Sequence, residues 1–130
     1  MSSTSVETLG TRQVLLMDSI TQIDARARGH VVVSGSHGGR SSASFAVGRG
    51  AAICFMNDAG VGKDEAGIVG LQILQDDGVP AAAYDYRSAR IGDAADAWEN
   101  GVLSFVNAAA AGLGFAAGER LRDAVRRVFG

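Results

Sequence analysis

The sequence predicts an α/β fold, a small three-layer αβα sandwich built on a mostly parallel sheet of three to four strands, and three observations carry that prediction. Apolar runs of strand length recur at HVVV, AAICFM and PAAAY, each breaks into a glycine-rich or charged turn, and a helix-like segment follows. Strand alternating with helix at intervals of about 30 residues is the pattern of βαβ units with right-handed crossovers. Parallel strands point the same way, so the turns after their carboxyl ends gather along one edge, where ligands bind in open α/β sheets.

Taken in order, residues 1–11 are polar and rich in Ser and Thr, which predicts a flexible N-terminal segment ahead of a single domain over residues 12–130. Gln13–Met17 reads as a short strand able to join the sheet, and Asp18–Gly29 as a turn or short helix. His30–Val33 is the first main strand, its three valines typical of a strand covered on both faces. SGSHGGR is then a tight turn, and Ser41–Val47 a brief helix stopped by Gly48 and Gly50. Ala51–Met56 is the second strand. A helix over Asp64–Asp77 follows, with Ile68, Leu71 and Leu74 on successive turns. Gly67 and Gly70 lower its propensity and point to close packing there. Gly78 ends it, and Pro80, the single proline, opens the third strand at Ala81–Tyr84. Asp93 caps a predicted long helix over Ala94–Ala111, in which Ala95, Trp98, Val102, Phe105, Val106 and Ala109 recur at helical spacing. A last amphipathic segment, Glu119–Phe129, would cover a sheet edge or dock on another subunit.

Composition removes several function classes. A chain of 130 residues fits one domain able to bury about two-thirds of its unfolded surface. With 12 basic and 14 acidic residues, net charge −2, it has no electrostatic footprint for nucleic acid or an anionic membrane. The single cysteine, Cys54, excludes an intrachain disulfide and a multi-cysteine zinc site. Its apolar surroundings in AAICF mark it as a small buried hydrophobe. The N-terminus lacks the basic start and apolar core of a secretory signal, and no apolar run approaches about 18 residues. A cytoplasmic location is expected. A sheet of three or four strands is small for a monomer covered on both faces, so a homo-oligomer is expected as well.

The three turns hold the candidate chemistry. SGSHGGR places Ser34, Gly35, Ser36, His37, Gly38 and Gly39 where consecutive peptide N–H groups would form an anion-binding nest. His37 is suited to proton transfer near neutral pH, whereas His30, at the foot of the same strand, reads as structural. The turn is not a dinucleotide fingerprint, because the G-x-G-x-x-G spacing is absent. Ser34 or Ser36 with His37 and Asp58 or Asp85 would supply the residue types of a serine triad. Adjacent Ser36 and His37 do not readily face each other, however, and no G-x-S-x-G elbow is present.

NDAGVGKD has a lysine, Lys63, after a glycine but fails the Walker pattern, with Asn57 where glycine is required and Asp64 after the lysine. Asn57 and Asp58 instead form a hydrogen-bonding pair with Asp58 a candidate base, the bland counterpart being an Asx turn. YDYRSARIGD supplies Asp85, Arg87, Ser88, Arg90 and Asp93, and two arginine forks suit a small carboxylate or phosphate. An internal ion pair accounts for one arginine more readily than for both. The two histidines and scattered carboxylates make no recognisable zinc site, and Mg²⁺ at Asp58 and Asp85 is the one metal arrangement left open. No cofactor is implied.

GSHGG, NDAGVGKDEAG and SARIGD, followed by WENGVLSFVNAAAAGLG, resemble a group of small, uncharacterised bacterial single-domain α/β proteins. The resemblance covers about residues 29–114 and implies the α/β fold, with no activity, cofactor or catalytic residue attached.

Together these residues predict a small cytoplasmic enzyme of hydrolase or lyase type acting on a compact anionic metabolite. His37 and Asp58, with Ser36, would be its catalytic groups. Gly35, Gly38, Gly39, Asn57, Lys63, Arg87, Ser88 and Arg90 would bind substrate. Two other readings use the same turns: a non-catalytic anionic-ligand-binding or regulatory module, and a small subunit of a larger enzyme complex.

Overall fold

The computed structural model describes residues 5–130. Its centre is a six-stranded sheet whose strands stand in chain order. β1 (Ser5–Leu9) and β2 (Arg12–Met17) form an antiparallel hairpin. From β2 through β3 (Val31–His37), β4 (Ile53–Asn57) and β5 (Ala81–Tyr84) the strands run parallel, and β6 (Leu103–Val106) returns antiparallel to β5. The sheet is therefore mixed, which corrects the expected mostly parallel sheet of three to four strands. Both antiparallel edges come from segments assigned otherwise in the sequence.

One edge arises where flexibility was expected. Within residues 1–11, Ser5–Leu9 pairs along β2 in the register Leu9↔Arg12, around a turn in which Gly10 has φ 62°. That left-handed angle suits glycine and gives the tight hairpin its twist. Residues 1–4 of that segment lie outside the described residues.

Alternation along the strands feeds two cores. Leu15, Val32, Cys54 and Ala81 face one side and pack with Ile20 and Ile23, with Ala43 and Ala46 of α1 (Arg40–Ala46), and with Leu71 and Leu74 of α2 (Gly70–Asp76). Val14, Val31, Ile53 and Phe55 face the other side. They pack with Ala97 and Trp98 of α3 (Ala94–Asn100), Ala110 of α4 (Ala108–Leu113), and Leu121 and Val125 of α5 (Leu121–Phe129). Because the pleat has period two and both faces are covered, the strands read as continuous apolar runs. The chain changes face after β5, so the β5–α3 turn leaves the sheet differently from the two turns before it. α5 lies on the sheet face, with Leu121, Ala124 and Val125 buried.

The predicted helix over Ala94–Ala111 is three elements. α3 stops at Gly101, whose ψ of 138° is extended and whose absent Cβ would stand 2.5 Å from the Ala97 carbonyl oxygen. β6 follows, and Asn107 caps α4 by accepting a hydrogen bond from the Ala110 N–H at 2.9 Å. Val102, Phe105 and Val106 fit helical spacing but are also the β-branched and aromatic residues of a strand. Asn100–Gly101 before them and a capping Asn after them decide for the strand.

The glycines of the first turn meet those before α2. The Gly70 N–H donates to the Gly38 carbonyl at 2.8 Å, and a Cβ on Gly38 would stand 2.7 Å from the Gly67 carbonyl oxygen. Close packing at Gly67 and Gly70 was expected from the sequence; the contact is backbone against backbone.

Candidate functional site

The first turn is largely strand. Ser34 to His37 belong to β3, with a register shift against β4 between Val33 and His37. Ser34 is fully buried and donates to the Phe55 carbonyl at 3.0 Å, while its own carbonyl accepts from the Tyr84 hydroxyl at 2.7 Å. Ser36 Oγ accepts from the Ile20 N–H at 2.9 Å. Gly35 accepts from the Gly92 N–H at 2.7 Å, and a Cβ there would strike the Asp18 carbonyl and the Asp93 nitrogen.

The Gly38 N–H donates to the Asn57 carbonyl at 2.9 Å, and the Gly39 N–H to His37 Nδ1 at 3.0 Å. Of the N–H groups expected to cradle an anion, those of Gly38 and Gly39 are thus engaged within the fold. His37 itself is exposed. Nδ1, which accepts from the Gly39 N–H, also lies 3.4 Å from Ser42 Oγ, so this edge of the ring is engaged within the fold.

The second turn pins itself. Asn57, fully buried, accepts from the Ala59 N–H at 2.8 Å and donates to the Ala89 carbonyl at 3.2 Å, joining the second and third turns. Asp58, 4% exposed, takes three hydrogen bonds. Its Oδ1 accepts from the N–H groups of Gly60 at 2.8 Å and Tyr86 at 3.1 Å, and its Oδ2 from Ser104 Oγ at 2.7 Å. Beyond it the backbone is left-handed at non-glycine residues: Ala59 (φ 52°), Val61 (68°), Asp64 (55°) and Glu65 (59°). That conformation breaks the helix expected over Asp64–Asp77. Only a 3-10 turn at Lys63–Glu65 and then α2 remain. Lys63 is exposed on that turn.

In the third turn Arg87 forms a two-pronged bond to Asp85, Nε to Oδ1 at 3.2 Å and a terminal nitrogen to Oδ2 at 3.0 Å. Its guanidinium lies 5.7 Å from the centre of the Tyr86 ring. The bond from Arg87 holds the Asp85 carboxyl below its ordinary value. Ser88 points inward, donating to the Asp85 carbonyl at 2.6 Å and accepting from the Val102 N–H at 3.0 Å. Arg90 stands 3.9 Å from Asp93, and its N–H donates to Asp96 at 2.7 Å, which lowers the Asp96 carboxyl below its usual range.

These turns border two adjoining clefts rather than one crevice. A cleft of about 430 Å³ is lined by Asp58, Gly60, Val61, Asp85, Tyr86, Arg87, Ser104 and Phe105. Another of about 320 Å³ is lined by His37, Ala59, Val61, Gly62, Ala66, Gly67 and Ile91. Val61 is common to both, so the Ala59–Gly62 loop is the wall between them. Asp58 and Arg87 are brought together; His37 is on the other side. Ser36, Gly35, Gly38, Gly39, Asn57, Lys63, Ser88 and Arg90 line neither polar cleft wall beside Arg87.

Tyr86, Ser104 and Phe105 are site residues that the sequence reading missed. Ser104 and Phe105 were hidden inside the expected helix. Recognition of β6 would have placed them beside the carboxyl end of β5. Tyr86, 52% exposed, stood out only as an aromatic in a charged turn.

On the far side of the sheet edge His30 Nδ1 accepts from the Gln13 N–H at 2.9 Å, a structural bond. Burial pushes the Cys54 thiol up to about 12. Among the described residues no group of three or more His, Cys, Asp or Glu is placed to hold a metal ion, and no helix is long and apolar enough to cross a membrane. No family model, curated protein or solved structure matches the chain.

Proposed function

We propose that the protein binds a compact carboxylate- or phosphate-bearing molecule in the cleft between the Ala59–Gly62 loop and the Tyr86–Arg87 turn. The observation that carries this reading is the fixing of Arg87. A guanidinium has five N–H donors, and Asp85 takes two of them. The rest project from a side chain that is 74% exposed yet held by Asp85 and the Tyr86 ring. An arginine oriented in advance loses less freedom on engaging an anion than a free one. Asp58 lines the other cleft and Ser36 Oγ is bonded to the Ile20 N–H, so neither expected partner stands beside His37, whose neighbouring hydroxyl is that of Ser42 at 3.4 Å from Nδ1, and this favours binding over turnover. Calorimetric titration with acetate, succinate and inorganic phosphate tests this. Binding is expected to weaken by about tenfold in Arg87→Ala, the loss of one charge-assisted contact. Equal binding by both proteins sinks the assignment.

Hydrolase or lyase chemistry is the second reading, favoured by the left-handed backbone of Ala59, Val61, Asp64 and Glu65, since such strain gathers at active sites. Here His37 would act through Nε2. Incubation with a metabolite extract followed by mass spectrometry separates the readings: turnover requires consumption of a compound by the wild type and not by His37→Ala.

A further inference from the structure

The floor of the 430 Å³ cleft poses a problem for a simple anion. Asp58 is its most deeply buried lining residue, and a carboxylate offers about four acceptor positions. Among the described residues, Oδ1 receives two N–H groups, from Gly60 and Tyr86, whereas Oδ2 receives only the Ser104 hydroxyl. One acceptor position on Oδ2 stays open. The one hydrogen of Ser104 goes to Asp58 at 2.7 Å in preference to the Ala83 carbonyl at 3.4 Å, leaving the oxygen of Ser104 free to accept. The floor therefore offers acceptors and a negative charge, while the rim offers the remaining donors of Arg87. Tyr86 and Phe105, 52% and 37% exposed, line the same cleft with their rings.

We infer that the ligand is a small zwitterion of amino-acid type, its ammonium group on Asp58 Oδ2 and Ser104 Oγ and its carboxylate on Arg87. This rests on the anion-binding reading above and narrows it. A carboxylate alone meets Arg87 but leaves the acceptors of the floor without donors and sits near the charge of Asp58. Adding an ammonium group corrects both faults, because burying a charge beside an unlike charge with its hydrogen bonds made offsets desolvation. A cleft of about 430 Å³ lined by Tyr86 and Phe105 has the volume for a short side chain.

Matched pairs that differ only in the amino group test this by calorimetry: glycine against acetate, alanine against propionate, aspartate against succinate. Each amino acid is expected to bind about tenfold or more tightly than its partner, one charged hydrogen bond being enough for that ratio. Ser104→Ala should remove most of the preference, and Ser104→Thr, which keeps the hydroxyl, should retain it. Circular dichroism establishes that both variants fold. Equal affinity within every pair, or a preference that survives Ser104→Ala, overturns the zwitterion and leaves the anion site standing. Failure of every carboxylate and of phosphate to bind overturns both.

Discussion

Replacing Gly70 by Ala sets helix propensity directly against packing, and the structure says which wins. Gly70 is the first residue of α2, where alanine would gain at most about 1 kcal/mol in propensity. An added Cβ, however, would lie 2.7 Å from the carbonyl oxygens of both Gly38 and Gly39 and 2.9 Å from the Ala43 Cβ. Two of those three neighbours are backbone, and the Gly38 carbonyl is held by the Gly70 N–H itself, so none can swing away. Overpacking of this kind costs about 1–3 kcal/mol, and immobile partners place it at the upper end. The net loss is about 2 kcal/mol. With a urea m-value of about 1.4 kcal/mol/M, the midpoint should fall by about 1.5 M.

Gly112 in α4 is the control. Its added Cβ would meet nothing within 4 Å, so Gly112→Ala should stabilise by about 0.5–1 kcal/mol. Urea unfolding followed by circular dichroism measures both. A Gly70→Ala protein as stable as wild type would refute the backbone crossing between the first turn and α2.

Two further perturbations probe the buried groups that shape the carboxyl edge. Tyr84→Phe removes the hydroxyl that donates to Ser34 across the sheet and leaves that buried carbonyl without this bond; a loss of about 1–2 kcal/mol in urea unfolding is expected, and an unchanged midpoint contradicts the bond. The Cys54 thiol, raised by burial from 9.0 to about 12, keeps its proton in the folded protein while the unfolded chain releases it. Stability should therefore fall as pH rises through that window, by about 1.4 kcal/mol per pH unit from this group. Burial raises Tyr84 too, adding a slope of the same sign. Cys54→Ala should flatten the dependence, and an unaltered slope would exclude the thiol as its source.

The parts of the fold that were legible in the sequence are those whose pattern admitted one physical solution. Three consecutive valines, an AAICFM run and a proline-led AAAY each had to be a strand buried on both faces, and they became β3, β4 and β5. The segment Val102–Val106 admitted two, because Phe105 and Val106 fall at helical spacing from Trp98 while also suiting a strand edge. The stop at Gly101, the cap at Asn107 and the position beside β5 together resolve it. In the same way, Ser5–Leu9 has too little apolar character to announce a strand and is held by pairing with β2.

The site was legible as an address more than as a constellation. Convergence of three turns followed from parallel strands, but the division at the Ala59–Gly62 loop depends on left-handed backbone angles at Ala59 and Val61 that no residue type declares. The expected roles of Ser36, Gly38 and Gly39 assumed free side chains and free N–H groups. Ile20, Asn57 and His37 take them up, partners distant in sequence or set by a turn whose course the sequence leaves open. An internal ion pair for one arginine of the third turn was expected without its members being fixed, and the structure forms it between Asp85 and Arg87, two residues apart.

Amide chemical-shift mapping during titration of the labelled protein with alanine tests the ligand site most directly. Shifts are expected to concentrate at Gly60, Val61, Tyr86, Arg87, Ser104 and Phe105, on the walls of one cleft. Shifts confined to His37, Gly62 and Ile91, or an unchanged spectrum, would contradict it.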